Sequence, residues 1–333
     1  MLSRHFLRSK VLQTVYAVQV DPVDTVVAEK NFTHNIERLN VLGIIQVSAL
    51  VHFFEVVGVM IDEAQHKFLP TDEERNPNRR LQNNVFLQKL ADNYDLRHHV
   101  EDAKISWGGV EYDEIFRQAY AGFVKMPEYK EYLKSMPSFD SDHQFALKVF
   151  KYLMNYPLLC ENLYPKSLLW EDDFDQIAQY NFMMLKAIDE TFDEASALPL
   201  VYDSRNARDQ EAFDFACRLL RSTLRHVDEV EVLIRKNLKG WDFERIAGMD
   251  ILLINMAVAE LTEFSSIPER VTVDEYIELS KEFSTDRSKL FINGILDKLM
   301  IELRSAGRIN KSGRGLLDPK FLEDYTDEEE NQN

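Results

Sequence analysis

Residues 241–304 read WDFERIAGMDILLINMAVAELTEFSSIPERVTVDEYIELSKEFSTDRSKLFINGILDKLMIELR. Three amphipathic helices follow one another here with very short breaks. Ile246, Met249, Leu253, Met256 and Ala257 form one helical stripe. Pro268 marks a break, and Thr272 with Glu275 has the spacing of a capping box that opens the next helix. Ser284 to Asp286 is polar enough for a second break. Ile292, Leu296, Leu299 and Leu303 then recur at i, i+4, i+7 and i+11. Inside that last helix stands an Asn-Gly pair, Asn293-Gly294. Glycine in a helix interior costs about 1 kcal/mol relative to alanine, and Asn-Gly is normally a turn signal. The pair therefore implies a backbone that something approaches closely, either a neighbouring helix or a ligand.

Helical periodicity extends outward from this stretch, and alternating strand patterns are scarce. A first helix is expected over residues 6–19, with Leu7, Val11, Thr14, Val15 and Val18 on its inner side. A long apolar helix follows over about 33–67. Residues 70–80, PTDEERNPNRR, read as a linker. Helices are expected again over 81–95, 112–125, 128–135, 144–156 and 172–195. Residues 199–208 form a second linker, and the next helix starts near residue 209, with Ala216, Leu220, Leu224 and Val227 in register. Helical pattern runs on to Leu238, with Gly240 as a C-cap.

The 333 residues suffice for one large domain or two ordinary ones, and an apolar content of 45% is ample for a core. Only two cysteines occur, Cys160 and Cys217, with no CxxC. That excludes a disulfide framework and a zinc ribbon, and suits a reducing cytoplasm. The segment 41–61 is long enough to span a bilayer. Its His52 and Glu55 lie near the middle, and a central acid costs roughly 2.5–3.5 kcal/mol on insertion, so a buried core helix is expected, not a membrane span. No GxGxxG, GxxxxGK[ST], GxSxG or HExxH motif is present. His98 and His99 point about 100° apart on a helix. No metal, cofactor or catalytic set is expected, and the chain reads as a non-enzyme.

The formal charge is −18, which argues against a general nucleic-acid binder. The charge is uneven, however. Residues 1–20 carry Arg4, His5, Arg8 and Lys10 and no acid, and residues 303–315 carry Arg304, Arg308, Lys311 and Arg314 and no acid. Residues 323–330 then pack six acids into eight positions. The basic islands are either a localised anion site or two solvated chain ends.

The run VTVDEYIELSKEFSTDRSKLFINGILDKL closely resembles the C-terminal signature of NusB-type transcription antitermination factors, an "INEA-ELAK-F" helix followed by an "S-KFVNGVLDK" helix. DILLINMAVAEL looks like that family's helix ending in a Glu-Leu pair, and RSKVLQTVYAVQ resembles its opening "AR--A-QALY" helix. The resemblance implies an all-α fold, a pair of helical bundles. In this chain residues 1–20 plus 209–315 would form the NusB-like core, 21–208 an enlarged helical insertion after the first helix, and 316–333 an acidic, disordered tail. It also implies a function: binding boxA-type RNA together with NusE, a ribosomal protein, and joining RNA polymerase to suppress termination on ribosomal RNA operons.

Carried over residue by residue, the resemblance gives an RNA set and a partner set. Arg4 and Arg8 match the family's basic cluster, with Lys10 adding charge, while His5 and Phe6 stand where the family often has further arginines. Tyr16 matches a tyrosine that either contacts RNA or is structural. Phe291 matches a phenylalanine that either stacks a base or edges the core. Asn293 either reads a base or caps backbone. Ser288 and Lys289 open the last helix, where N–H groups favour anions, and Leu290 replaces a lysine of some relatives. Glu244 and Asp250 align with acids used toward NusE, although six positions put them about 240° apart on a helix. Two other readings stay open: an interaction module that kept the fold and lost RNA binding, and an RNA-methyltransferase accessory protein.

Overall fold

The computed structural model describes residues 2–163, 172–238, 243–285 and 287–317. The acidic tail and the Gly240 cap lie outside them. The described residues hold helices and no strand. In chain order these are α1 (Arg4–Val20), α2 (Thr25–Gln65), α3 (Asp72–Arg75), α4 (Val85–Asp92) and α5 (Tyr94–Asp102). Next come α6 (Val110–Phe123), α7 (Pro127–Tyr132), α8 (Phe139–Met154), α9 (Pro157–Leu163) and α10 (Phe174–Lys186). The last are α11 (Ala207–Arg225), α12 (Val227–Asn237), α13 (Gly248–Glu263), α14 (Glu269–Phe283) and α15 (Ser288–Ser305). The chain divides into two compact units. One is built from the described residues of 1–34 and 204–333, the other from residues 35–203.

In the first unit α13 is the axis, with α1, α11, α12, α14 and α15 packed around it. The single apolar stripe expected on α13 understates its burial. Every residue from Leu252 to Leu261 is buried, the condition of a helix that is hydrophobic on all sides. The stripe on α15 is as expected: Ile292, Leu296, Leu299 and Leu303 are all buried. The capping box expected at Thr272 is not there. α14 starts at Glu269 behind Pro268, whose backbone is extended, so Thr272 lies within the helix and its hydroxyl is free to point inward. α1 begins at Ser3, whose hydroxyl accepts from the Phe6 N–H at 3.1 Å.

After α15 the chain folds back. The Ser312 N–H donates to the Ser265 carbonyl at 3.0 Å, and Lys311 Nζ to the Phe264 carbonyl at 2.8 Å. Gly315 lies so close to the turn joining α13 to α14 that a Cβ there would meet the Ser265 carbonyl oxygen at 2.0 Å. Gly294 is the opposite case. It is exposed on α15, and nothing lies within 4 Å of where its Cβ would be. No described helix makes the close approach expected at the Asn-Gly pair.

The second unit has an aromatic core. Phe123 of α6 meets Phe53 of α2 edge-on at 6.3 Å, and Tyr132 of α7 stacks on Phe145 of α8 at 3.7 Å. The expected linker at 70–80 is part of this packing. Thr71 and Glu74 form a capping box around α3. Arg80 is buried, pairs with Asp142, and donates to the Tyr132 hydroxyl at 2.9 Å. The helix expected over 81–95 breaks at Asn93, whose Oδ1 accepts from the Leu96 N–H at 2.8 Å and so starts α5. By length and composition α2 could cross a membrane, but 56% of its most apolar window is buried inside the protein.

Two glycine substitutions test this packing. Gly294→Ala should raise stability by roughly 0.5–1 kcal/mol. Gly315→Ala should lower it by about 1–3 kcal/mol, because the neighbour in the way is backbone. Chemical denaturation of both variants measures the two effects, and equal changes in the same direction would refute this placement of the two glycines.

Candidate nucleic-acid interface

The polar centre of the first unit is Glu260, fully buried in α13. An ionised carboxylate in such a place needs donors on both oxygens. Arg8 of α1 supplies two, Nε to Oε2 and Nη2 to Oε1, both at 2.7 Å. From α14, Thr272 Oγ1 donates to Oε1 at 3.0 Å and the Tyr276 hydroxyl to Oε2 at 3.1 Å. Arg8 also reaches Glu275 Oε2 at 3.2 Å. Burial alone would lower the pKa of Arg8. Its hydrogen bonds and charge pairing with Glu260 outweigh that, and the pKa is raised. Burial, reinforced by the Glu260 charge, pushes the Tyr276 hydroxyl well above the ordinary tyrosine range.

This corrects the reading of Arg8 as a phosphate contact. Its side chain is 2% exposed and engaged on both edges of the guanidinium. The residues of α1 from Phe6 to Leu12 are all buried, not only an inner stripe. Lys10 is buried too, with Nζ donating to Gln13 Oε1 at 2.6 Å. Arg4 is the exposed member of the cluster, 46% accessible, with an ion pair to Glu211 at 3.1 Å. Two arginines of the basic island after residue 303 are likewise turned to acids: Arg304 pairs with Glu269 at 2.6 Å and Arg308 with Glu229 at 2.5 Å.

The remaining expected residues fall into two places. His5 contacts Glu275 and Glu282 while Arg8 contacts Glu275 and Glu260, so the start of α1 lies beside the end of α14, where α15 begins five residues on. Lys289 is exposed there, and Phe291 and Asn293 are half-buried. Ser288 is buried, and its hydroxyl contacts those of Ser284 at 3.0 Å and Thr285 at 2.8 Å. It shapes the start of α15 and offers no free hydroxyl outward. Tyr16 is half-exposed but lies twelve residues along α1 from Arg4, about 18 Å at 1.5 Å per residue. It belongs to the other end of the helix.

The two partner acids also separate. Glu244 is exposed, 3.5 Å from Arg235. Asp250 is buried and accepts from the Ser284 hydroxyl at 2.5 Å, so its role as a surface acid is corrected to one of tying α13 to the α14–α15 turn.

Sequence reasoning missed Arg287, exposed at the N-cap of α15. Among the described residues neither its side chain nor that of Lys289 makes an ion pair. Both stand at the positive end of the helix dipole. It also missed Glu260 as an anchor. The signal was an acid inside the apolar run AVAEL, which is costly unless paired.

His5 makes this corner pH-sensitive. Nδ1 lies 2.9 Å from Glu275 and Nε2 3.2 Å from Glu282. Partial burial would lower its pKa, but the hydrogen bonds and charges of the two glutamates raise it above 6.5. A group whose folded pKa is raised stabilises fully below its unfolded value, and that stabilisation is lost as pH climbs through the folded value. The wild type should therefore lose stability as pH rises above about 6.5, and His5→Gln should flatten that part of the profile. Melting curves across pH check this, and an unchanged profile would refute the assignment.

The NusB family model matches residues 174–300, beginning in α10, earlier than the residue 209 expected from motifs. The transcription antitermination protein NusB of Salinibacter ruber is 43% identical over 109 residues, 33% of this chain and 68% of that protein. NusB of Geobacter sulfurreducens is 38% identical over 113 residues, 34% and 82% respectively. NusB of Chloroherpeton thalassium is 37% identical over 110 residues, 33% and 52%. No solved structure matches the chain. With an all-helical fold and relatives this similar over most of their own length, the chain belongs to the NusB family.

Proposed function

We propose that this protein is a cytoplasmic transcription antitermination factor, without enzymatic activity, that binds boxA-type RNA together with NusE. In this reading the complex joins RNA polymerase on ribosomal RNA operons. The named relatives are transcription antitermination proteins, which supports the general role. The observation that carries the RNA part is the start of α15. Arg287 and Lys289 are exposed there without an ion pair among the described residues, next to Phe291 and Asn293, at a helix terminus that favours anions. Arg4 adds charge from the start of α1. Phe291 would stack a base and Asn293 would read an edge. Glu244 keeps the exposure that a contact with basic NusE needs. Residues 21–173, which precede the stretch that the family model matches, we read as an addition to the family's helical core.

A second reading, an interaction module without RNA binding, has its own support: Arg8 is committed to Glu260 and Arg4 to Glu211. Binding of boxA-type RNA with and without NusE, measured by fluorescence anisotropy across salt, separates the two. Arg287→Ala and Lys289→Ala should each weaken binding and reduce the salt slope by roughly 1. Phe291→Ala should cost about 1–3 kcal/mol with little change of slope. Unchanged binding by the Arg287/Lys289 double variant would remove the proposed RNA site, and no RNA binding at any salt would favour the second reading.

A further inference from the structure

The second unit holds an open groove of about 770 Å³ at the end of α2, within the range of roughly 300–1,000 Å³ found for binding sites. Ile61, Tyr120 and Tyr129 line it together with Glu63, Glu73 and Arg117. The Tyr120 and Tyr129 hydroxyls are hydrogen-bonded to each other at 3.0 Å. Two hydroxyls joined by a single bond leave one O–H without an acceptor, and among the described residues none is supplied. Either hydroxyl can be the donor of that bond, and both tyrosines line the groove, so the spare O–H is available to an acceptor placed there. Burial raises both phenol pKa values, so both protons stay in place at neutral pH.

The walls are acidic. Arg117 is shared by Glu63 and Asp113, each at 2.7 Å. Lys67 pairs with Glu74 at 2.5 Å. Glu73 makes no ion pair among the described residues. Acids therefore outnumber cations, and the charge left over is negative. At the rim, between the lining residues Lys67 and Thr71, stand Phe68 and Leu69, 97% and 80% exposed. Two adjoining apolar side chains held out in water beside a groove mark a contact surface for another protein.

We propose that this groove receives a basic, partly apolar segment of a partner protein. Lysine or arginine side chains of the segment face Glu73 and the Glu63–Asp113 pair. Its apolar side chains cover Phe68, Leu69 and Ile61, and one backbone carbonyl accepts the unused tyrosine proton. A nucleic acid is repelled by the same walls.

The test uses the full chain, a synthetic peptide of alternating lysine and leucine, and a control peptide with glutamate in place of lysine. Calorimetry gives affinity and hydrogen exchange gives location. The lysine peptide should bind and protect residues 60–78 and 112–133, and the glutamate peptide should not bind. Glu73→Lys combined with Phe68→Ser should weaken binding by about tenfold or more, with an unchanged melting temperature because both positions are exposed. If that pair of changes lowers the melting temperature, Glu73→Gln alone should still weaken binding severalfold. Absence of binding, equal binding of the two peptides, protection elsewhere, or undiminished affinity in the variants would each overturn the proposal.

Discussion

A buried ion pair, Arg8 with Glu260, organises the first unit. Two charges taken out of water cost several kcal/mol each, and their attraction offsets this only with good geometry and full hydrogen bonding. Here both conditions are met. The guanidinium meets the carboxylate in a two-point fork, and Thr272 and Tyr276 fill the remaining acceptor positions. Such a pair fixes position more sharply than apolar contacts do, because a small slide of any partner leaves a charge unmet. It ties α1, α13 and α14 together at one point. Arg8 and Glu260 are 252 positions apart in sequence, so the pair also fixes how the chain ends of the family's core come together.

The same economy of charge runs through the unit. The N-terminal and C-terminal basic islands looked like surface features of an acidic protein. Four of their five arginines instead face Glu211, Glu260, Glu229 and Glu269. Arg287 and Lys289, at the start of α15, are exposed and make no ion pair among the described residues, which leaves positive charge there for an outside partner. The acidic His5 corner beside it adds a pH dependence of its own.

The helical class, the α15 stripe and the family were legible because each rests on local spacing or on a contiguous motif. What was not legible depended on partners far away in sequence. Arg8 was read as a surface cation because its counter-charge is 252 positions away. Thr272 was read as a cap because its spacing to Glu275 fits one, but its hydroxyl goes to Glu260. Asp250 and Ser288 were read as contact residues and instead face Ser284. Asn93 splits an apparently continuous helix because its side chain starts α5 and also reaches the Asp193 and Ser196 carbonyls. In each case a polar residue carried two compatible local readings, and tertiary contact decided between them.

A double-mutant cycle on Arg8 and Glu260 tests the central constraint most directly, with stability read from native-state hydrogen exchange of α13 amides so that the first unit is observed by itself. Arg8→Met and Glu260→Leu should each cost about 3–5 kcal/mol, since each strands a buried charge, and the double variant should cost far less than their sum. Single costs below about 1 kcal/mol, or strictly additive ones, would contradict the account.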